Sequence, residues 1–240
     1  MQENITDIWV YLAQTPLLWL TLTLLVYLAA DWLYQRAGRL PLLNPVLLAI
    51  VVLVLVLMGT RTPYDTYFAG AQFVHFLLGP ATVALAIPLY TYYARLKKML
   101  LPLVGALLIG SATGVLSAVW IGQALDLPRA VLLSLAPKSI TTPIAMGISE
   151  QVGGIPSLTA VLVILTGMIG ALLGNELLTL LRFGDNSVRG FAIGLASHGL
   201  GTARALQIHA EAGAFAGLAM GLNGATTAIL VPLLVQWLGL

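Results

Sequence analysis

Residues 135–148 read LAPKSITTPIAMGI, and this stretch decides what kind of protein the chain is. It lies inside an apolar segment, 128–149, long enough to cross a bilayer, yet it carries two prolines, a lysine, a serine and two threonines. Pro137 removes a backbone donor and disfavours the helical region at Ala136, while Thr142-Pro143 reads as an N-cap followed by proline at the first helical position. The segment is therefore expected to be two half-helices meeting within the membrane. Lys138 falls about 14 Å beyond Arg129 at ~1.5 Å per residue, near mid-depth of a spanning segment.

The same punctuation returns further on. Setting Arg129 on Arg189 aligns RAVLLSLAPKSITTPIAMGI with RGFAIGLASHGLGTARALQI, so that Ala136 meets Ala196, Lys138 meets His198, Thr142 meets Thr202 and Ile148 meets Ile208. A constant offset of this kind reads as an internal repeat, with Thr142 and Thr202 as equivalent half-helix starts. A fainter copy lies at LLGPATVALAIPLY, where Gly79-Pro80 and Pro88 interrupt another apolar run. Repeated, interrupted helices are the signature of secondary transporters, in which exposed half-helix ends bind substrate and coupling ion.

Composition narrows the class. Of 240 residues 59% are apolar and 8% charged, with mean hydropathy +0.97; soluble domains carry about 25% charged residues, so the chain is a polytopic membrane protein. Absence of cysteine excludes disulfides, thiolate metal sites and cysteine nucleophiles. A net charge of +2 is too small and dispersed to suggest nucleic acid.

Taken in order, residues 1–15 carry Glu3 and Asp7 but no basic residue, unlike a signal peptide. The first span, Pro16 to Tyr34, is followed by Arg36 and Arg39, which places the N-terminus outside and this loop in the cytoplasm. A scaffold span from Pro41 to Met58, an external loop over 59–71, an interrupted span from Phe73 to Tyr93 and a cytoplasmic cluster of Arg95, Lys97 and Lys98 come next. Met99 to Ala124 carries Gly110 and Gly114 in GxxxG spacing. A full crossing by the Pro137 segment would put Arg182 and Arg189 outside; a re-entrant one would put them inside. Ser157 to Leu181, the second interrupted segment and a glycine-faced last span (Gly213, Gly217, Gly221) complete the chain. The expectation is an all-α, transporter-like membrane protein of seven or eight segments, two or three interrupted. It forms a single integral membrane domain over 1–240, with scaffold helices in 1–70 and repeat units in 71–240.

Lys138 is the sharpest candidate for a binding residue, because burying a lysine in a bilayer costs about 2.5–3.5 kcal/mol on insertion scales; snorkelling, or a structural pair with Glu176, is the competing account. Arg204 offers a planar fork suited to a carboxylate, against a role as interfacial anchor or partner of Glu211. Ser139, Thr141, Thr142, Ser197 and Thr202 are candidates for presenting hydroxyls, though capping alone accounts for each singly. Gly199 and Gly201 complete the second break. Two half-helix N-termini, each roughly +0.5 of a charge, with a lysine and an arginine nearby, favour an anion. His198 and Glu176 are candidates for proton coupling, with structural hydrogen bonding and packing as their alternatives; His75 and His209 read as structural. No metal-ligand spacing, GxSxG, HExxH or phosphate loop is present, which argues against an enzyme, a metal or a cofactor.

PLLNP at 41–45, GPATVALAIPLY at 79–90, APKSITTPIAMGI at 136–148, GGIPSLTAV at 153–161 and ASHGLGTARA at 196–205 together resemble the CidB/LrgB family of bacterial membrane proteins. The resemblance implies an inner-membrane protein described as antiholin-like, modulating murein hydrolase activity and autolysis with a small LrgA/CidA-type membrane partner. Related plastid proteins exchange glycolate and glycerate, and bacterial relatives are linked to pyruvate. Two functions follow: a carrier of small monocarboxylates, working as a homodimer, and a regulator of autolysis acting through its partner.

Overall fold

The computed structural model describes residues 15–38, 40, 43–84 and 86–240. Residues 1–14, Arg39 and Pro41, on which part of the topology reading rests, lie outside the described residues, as does the side chain of His75. Among the described residues the regular structure is helical, and five helices are long and apolar enough to cross a membrane: Pro16–Arg36, Tyr64–Thr91, Leu100–Ala124, Pro156–Leu180 and Ala210–Trp237. Contacts group the chain into two units, Met1–Val83 and Ala84–Leu240.

In the first unit, α1 (Pro16–Arg36) and α2 (Pro45–Thr60) each begin with proline in the first turn, where a missing N–H costs nothing. Asn44 caps α2, its Oδ1 accepting from the Val46 N–H at 2.9 Å and the Leu47 N–H at 3.4 Å. The external loop expected over 59–71 is mostly helix: α3 spans Tyr64–Phe76. Gly70 lets α3 approach α1 so closely that a Cβ there would overlap the Pro16 carbonyl. Beside this contact Trp19 is fully buried, edge-on to Tyr67 at 6.0 Å between ring centres. The apolar run around Gly79-Pro80 and Pro88 forms two short helices, α4 (Leu78–Ala84), which ends at the boundary of the first unit, and α5 (Ala86–Thr91), which belongs to the second.

Besides α5, the second unit contains α6 (Tyr93–Lys98), α7 (Leu100–Ala124), α8 (Arg129–Leu135), α9 (Thr142–Val152), α10 (Pro156–Leu180), α11 (Asn186–Ile208) and α12 (Ala210–Trp237). Three of these, α7, α10 and α12, are long apolar rods. The two interrupted segments between them do not cross; each doubles back on itself.

The first hairpin is α8, a turn over 136–141, and α9. Gly122 of α7 faces Leu132 and Gly114 faces Ser139, so α8 runs antiparallel to α7 and the turn lies halfway along it. The far end of α9 then returns to α8. The Ile155 N–H donates to Ser134 Oγ at 2.8 Å, and the Thr159 hydroxyl lies 2.7 Å from Ser149 Oγ and 3.1 Å from the Ser134 carbonyl. Gly153 closes α9 in the left-handed region, φ 88°.

The second hairpin is hidden inside α11. His198 has φ 43° and ψ −131°, which no helix tolerates, and it divides the segment into α11a (186–197) and α11b (199–208). Gly190 abuts Ala212 and Gly194 abuts Ala216, so α11a and α12 run parallel. Near-consecutive helices can be parallel only if the chain returns between them, and α11b makes that return. Ser187 donates to Glu211 at 2.8 Å, while Arg189 reaches the Asn175 carbonyl at 3.0 Å and Arg204 reaches Glu176 at 4.0 Å, so both ends of α11 sit at one end of α10. Only α10 separates the hairpins, so they enter from opposite ends of the unit.

The first hairpin packs on the cluster Val115, Val119, Leu133, Ile140, Ile148, Val163 and Val231, and the second on Leu103, Leu107, Phe191, Phe215 and Ala219. Backbone-close packing is provided by Gly190 and Gly194 against Ala212 and Ala216 and, on the expected glycine face, by Gly213, whose missing Cβ faces the side chain and backbone of Leu206; Gly221 has open space around its missing side chain.

Candidate functional site

The two hairpin tips meet near the middle of the second unit, beside a cavity of about 450 Å³. Lys138 and Ser139 reach it from the first tip, Ala196 and Ser197 from the second, Ser111 and Thr113 from α7, Thr166 and Gly170 from α10, and Asn223 and Thr227 from α12. The Lys138 ammonium lies 3.4 Å from Ser139 Oγ, and among the described residues no carboxylate is within ion-pair distance of it. Ser197 is buried and lines the cavity; Gly170 makes room for it, since a Cβ at that position would coincide with its hydroxyl.

Of the residues singled out from sequence, Lys138, Ser139 and Ser197 line this cavity. The others do not. Thr141, not Thr142, precedes the first residue of α9, and its side chain makes no cap bond. Thr202 does not start a half-helix: the break is at His198, and the Thr202 hydroxyl donates to the His198 carbonyl at 2.8 Å. Gly201 lets α11b press on α11a, its missing Cβ facing Ser197 and the Ile193 carbonyl, and Gly199 is exposed. His198 turns away from the cavity, its Nε2 2.9 Å from the Val163 carbonyl, and Gly167 of α10 leaves space for the ring.

Arg204 is the main correction. It does not face the cavity with Lys138; its guanidinium lies 4.0 Å from Glu176 and 3.4 Å from Gln207. A break at Thr202 would set Arg204 beside the tip, whereas Arg204 lies six positions along α11b from His198, about 9 Å at ~1.5 Å per residue. Glu176, proposed as a partner of Lys138, belongs instead to this pair. Glu211, weighed as a partner of Arg204, accepts from Arg95 Nε at 3.0 Å and from Ser187.

Asn223 escaped the sequence reading. It is buried in α12, and its amide reaches both hairpins: Nδ2 donates to the Leu195 carbonyl at 2.8 Å and to the Ser139 carbonyl at 3.3 Å. Its Oδ1 accepts from Ser111 at 2.6 Å and from Thr227 at 3.0 Å. An asparagine amid an apolar span is a signal of the same kind as Lys138, and the neighbouring glycines drew the reading away from it.

At one end of the unit, Arg95 pairs with Asp185 as well as with Glu211. Asp185 caps α11, accepting from the Ser187 N–H at 2.9 Å and the Val188 N–H at 3.2 Å. Desolvation raises its pKa, but the Val188 and Ser187 bonds and the Arg95 charge outweigh it and hold the carboxyl below its ordinary value. This pairing puts the loop after α10, with Arg182, at the same end as Arg95, Lys97 and Lys98.

Fold and site together define a multi-pass α-helical membrane protein in which two opposed hairpins flank a largely apolar cavity that holds one lysine with no carboxylate partner among the described residues. The chain belongs to the LrgB-like family, whose model matches residues 23–237. Among curated relatives, YwbG of Bacillus subtilis is 37% identical over 219 residues, covering 91% of this chain and 97% of the relative. YxaC of the same organism is 39% identical over 217 residues, 90% and 94% of the two chains. The holin-like protein CidB of Staphylococcus aureus is 32% identical over 219 residues, 91% and 95%. No solved structure matches the chain.

Proposed function

We propose that the protein carries small monocarboxylates of the glycolate, glycerate or pyruvate type across the bacterial cytoplasmic membrane. The observation that supports this most is the lysine in the cavity with no carboxylate beside it. An ammonium held inside a bilayer is costly unless paired, and an anionic ligand is the counter-ion the site lacks. Hydroxyls of Ser139 and Ser197 add polar groups to an otherwise mostly apolar wall, and the α9 N-terminus is directed toward the same tip. The hairpins are two copies of one interrupted unit separated by a single crossing helix, hence of inverted sense, and this is the construction on which alternating access is built. The basic end, with Arg95, Lys97, Lys98 and Arg182, lies in the cytoplasm and the N-terminus outside. The working form is a homodimer; His198 and Glu176, both outside the cavity, stay secondary candidates for proton coupling.

A second reading draws on the relatives named holin-like: the protein modulates autolysis with an LrgA/CidA-type membrane partner and transports nothing. Purified protein alone, reconstituted in vesicles, tests the first directly. Saturable uptake of labelled glycolate or pyruvate that is weakened at least tenfold in apparent affinity by Lys138→Gln supports the carrier. No uptake of any small carboxylate by correctly inserted protein leaves the regulatory reading.

A further inference from the structure

An asparagine side chain has two N–H donors and an oxygen with two lone pairs. Asn223 spends all four within the protein, on the Ser139 and Leu195 carbonyls and on the Ser111 and Thr227 hydroxyls. It therefore lines the cavity with nothing left to offer a ligand. The two carbonyls it serves lie beside the two breaks. Ser139 lies in the turn between α8 and α9, and the Leu195 carbonyl faces the position where the non-helical His198 interrupts the helical ladder. Both bonds are half-buried, so each carbonyl that lost its donor would be only partly resupplied by water.

From this geometry we infer that Asn223 is a positioning residue that ties the two hairpin tips to each other, so that neither leaves its place without loosening the other. Its bonds to α7, through Ser111, and along α12, to Thr227, orient the amide so that both N–H groups point at the tips. The second tip has one further tether, His198 on the Val163 carbonyl; no other side-chain bond to the turn 136–141 from outside it is seen among the described residues. Release of Asn223 should thus free the first tip more than the second, and both measurably.

Amide hydrogen exchange on the purified, full-length protein without added anion reads this directly, independently of whether the protein is a carrier. Asn223→Asp removes both donors and keeps the acceptors; Asn223→Leu removes all four bonds at similar size. In each, peptides covering 136–142 and 196–203 should exchange about tenfold faster or more, the first the more affected, since each loses the bond that holds the carbonyl beside its break. Peptides over the Ser134, Ser149 and Thr159 bonds should exchange as in the parent. Ser111→Ala with Thr227→Ala, which removes the bonds that orient the amide but neither of its donors, should loosen both tips less than either Asn223 variant does. Loosening of one tip only, faster exchange throughout the unit, or loss of the folded protein in both Asn223 variants would each overturn the linkage and leave Asn223 a general packing residue.

Discussion

At the residue scale the question is what a single lysine is for. Among the described residues Lys138 has no carboxylate partner, an arrangement that works against folding and is retained at that cost. Lys138→Gln should therefore leave the ligand-free protein as stable in detergent as the parent or more so, with the melting temperature unchanged or higher, while anion affinity falls. A drop in melting temperature would mean that the ammonium is internally satisfied after all. Arg204 should behave in the opposite way. With its charge on Glu176 and away from the cavity, Arg204→Lys should shift the apparent substrate constant by less than about threefold, because no charge-assisted bond to the ligand is lost. The contrast marks what sequence made legible. Lys138 could be found because a charge in an apolar run is conspicuous whatever the local geometry. The orientation of Arg204 depends on where the helix breaks, and His198 has no proline to announce that position.

Among the elements, the prolines and glycines told most. Pro137 lies within, and Pro143 just beyond, a turn that the structure places over 136–141, and α2 starts at Pro45, inside the scaffold span read from Pro41 to Met58. The second break was placed too late because Thr202 looked like Thr142, while the actual distortion is a non-glycine residue at positive φ. That costs about 1–3 kcal/mol and is held by burial and one hydrogen bond. The start of α11 offers an element-scale prediction. Asp185 has a lowered folded pKa, so its contribution is present above the unfolded value of about 3.9 and is lost as pH falls toward and through the folded one. Asp185→Asn keeps an acceptor for the Ser187 and Val188 N–H groups but abolishes the charge facing Arg95. Melting temperature measured from pH 6 down to pH 3 should decline less steeply in this variant than in the parent. Identical slopes would assign the acid sensitivity to other carboxylates.

For the whole molecule, the charge pattern left two topologies for the Pro137 segment, and geometry chooses between them. Had α8 and α9 formed one broken crossing, Arg182 would lie opposite Arg95; instead Asp185, three residues on from Arg182, is paired with Arg95. Sequence could not decide this, because a half-helix that turns back and one that continues have the same composition and the same breaks. What was legible was that both segments are interrupted. Two such hairpins separated by one full crossing point in opposite senses, and this arrangement agrees with the charge bias. In this cysteine-free chain single cysteines at Asp126 and Gly153, which flank the first hairpin, should react with an impermeant maleimide from the same side of sealed vesicles. Cysteines at Lys97 and at Arg182 should react from the other side, and so should one at Gly184, next to the cap of α11. Asp126 and Gly153 labelling from opposite faces would convert the first hairpin into a crossing. It would separate Arg182 from Arg95 by the thickness of the bilayer, and remove the opposed arrangement on which the cavity and its lysine depend.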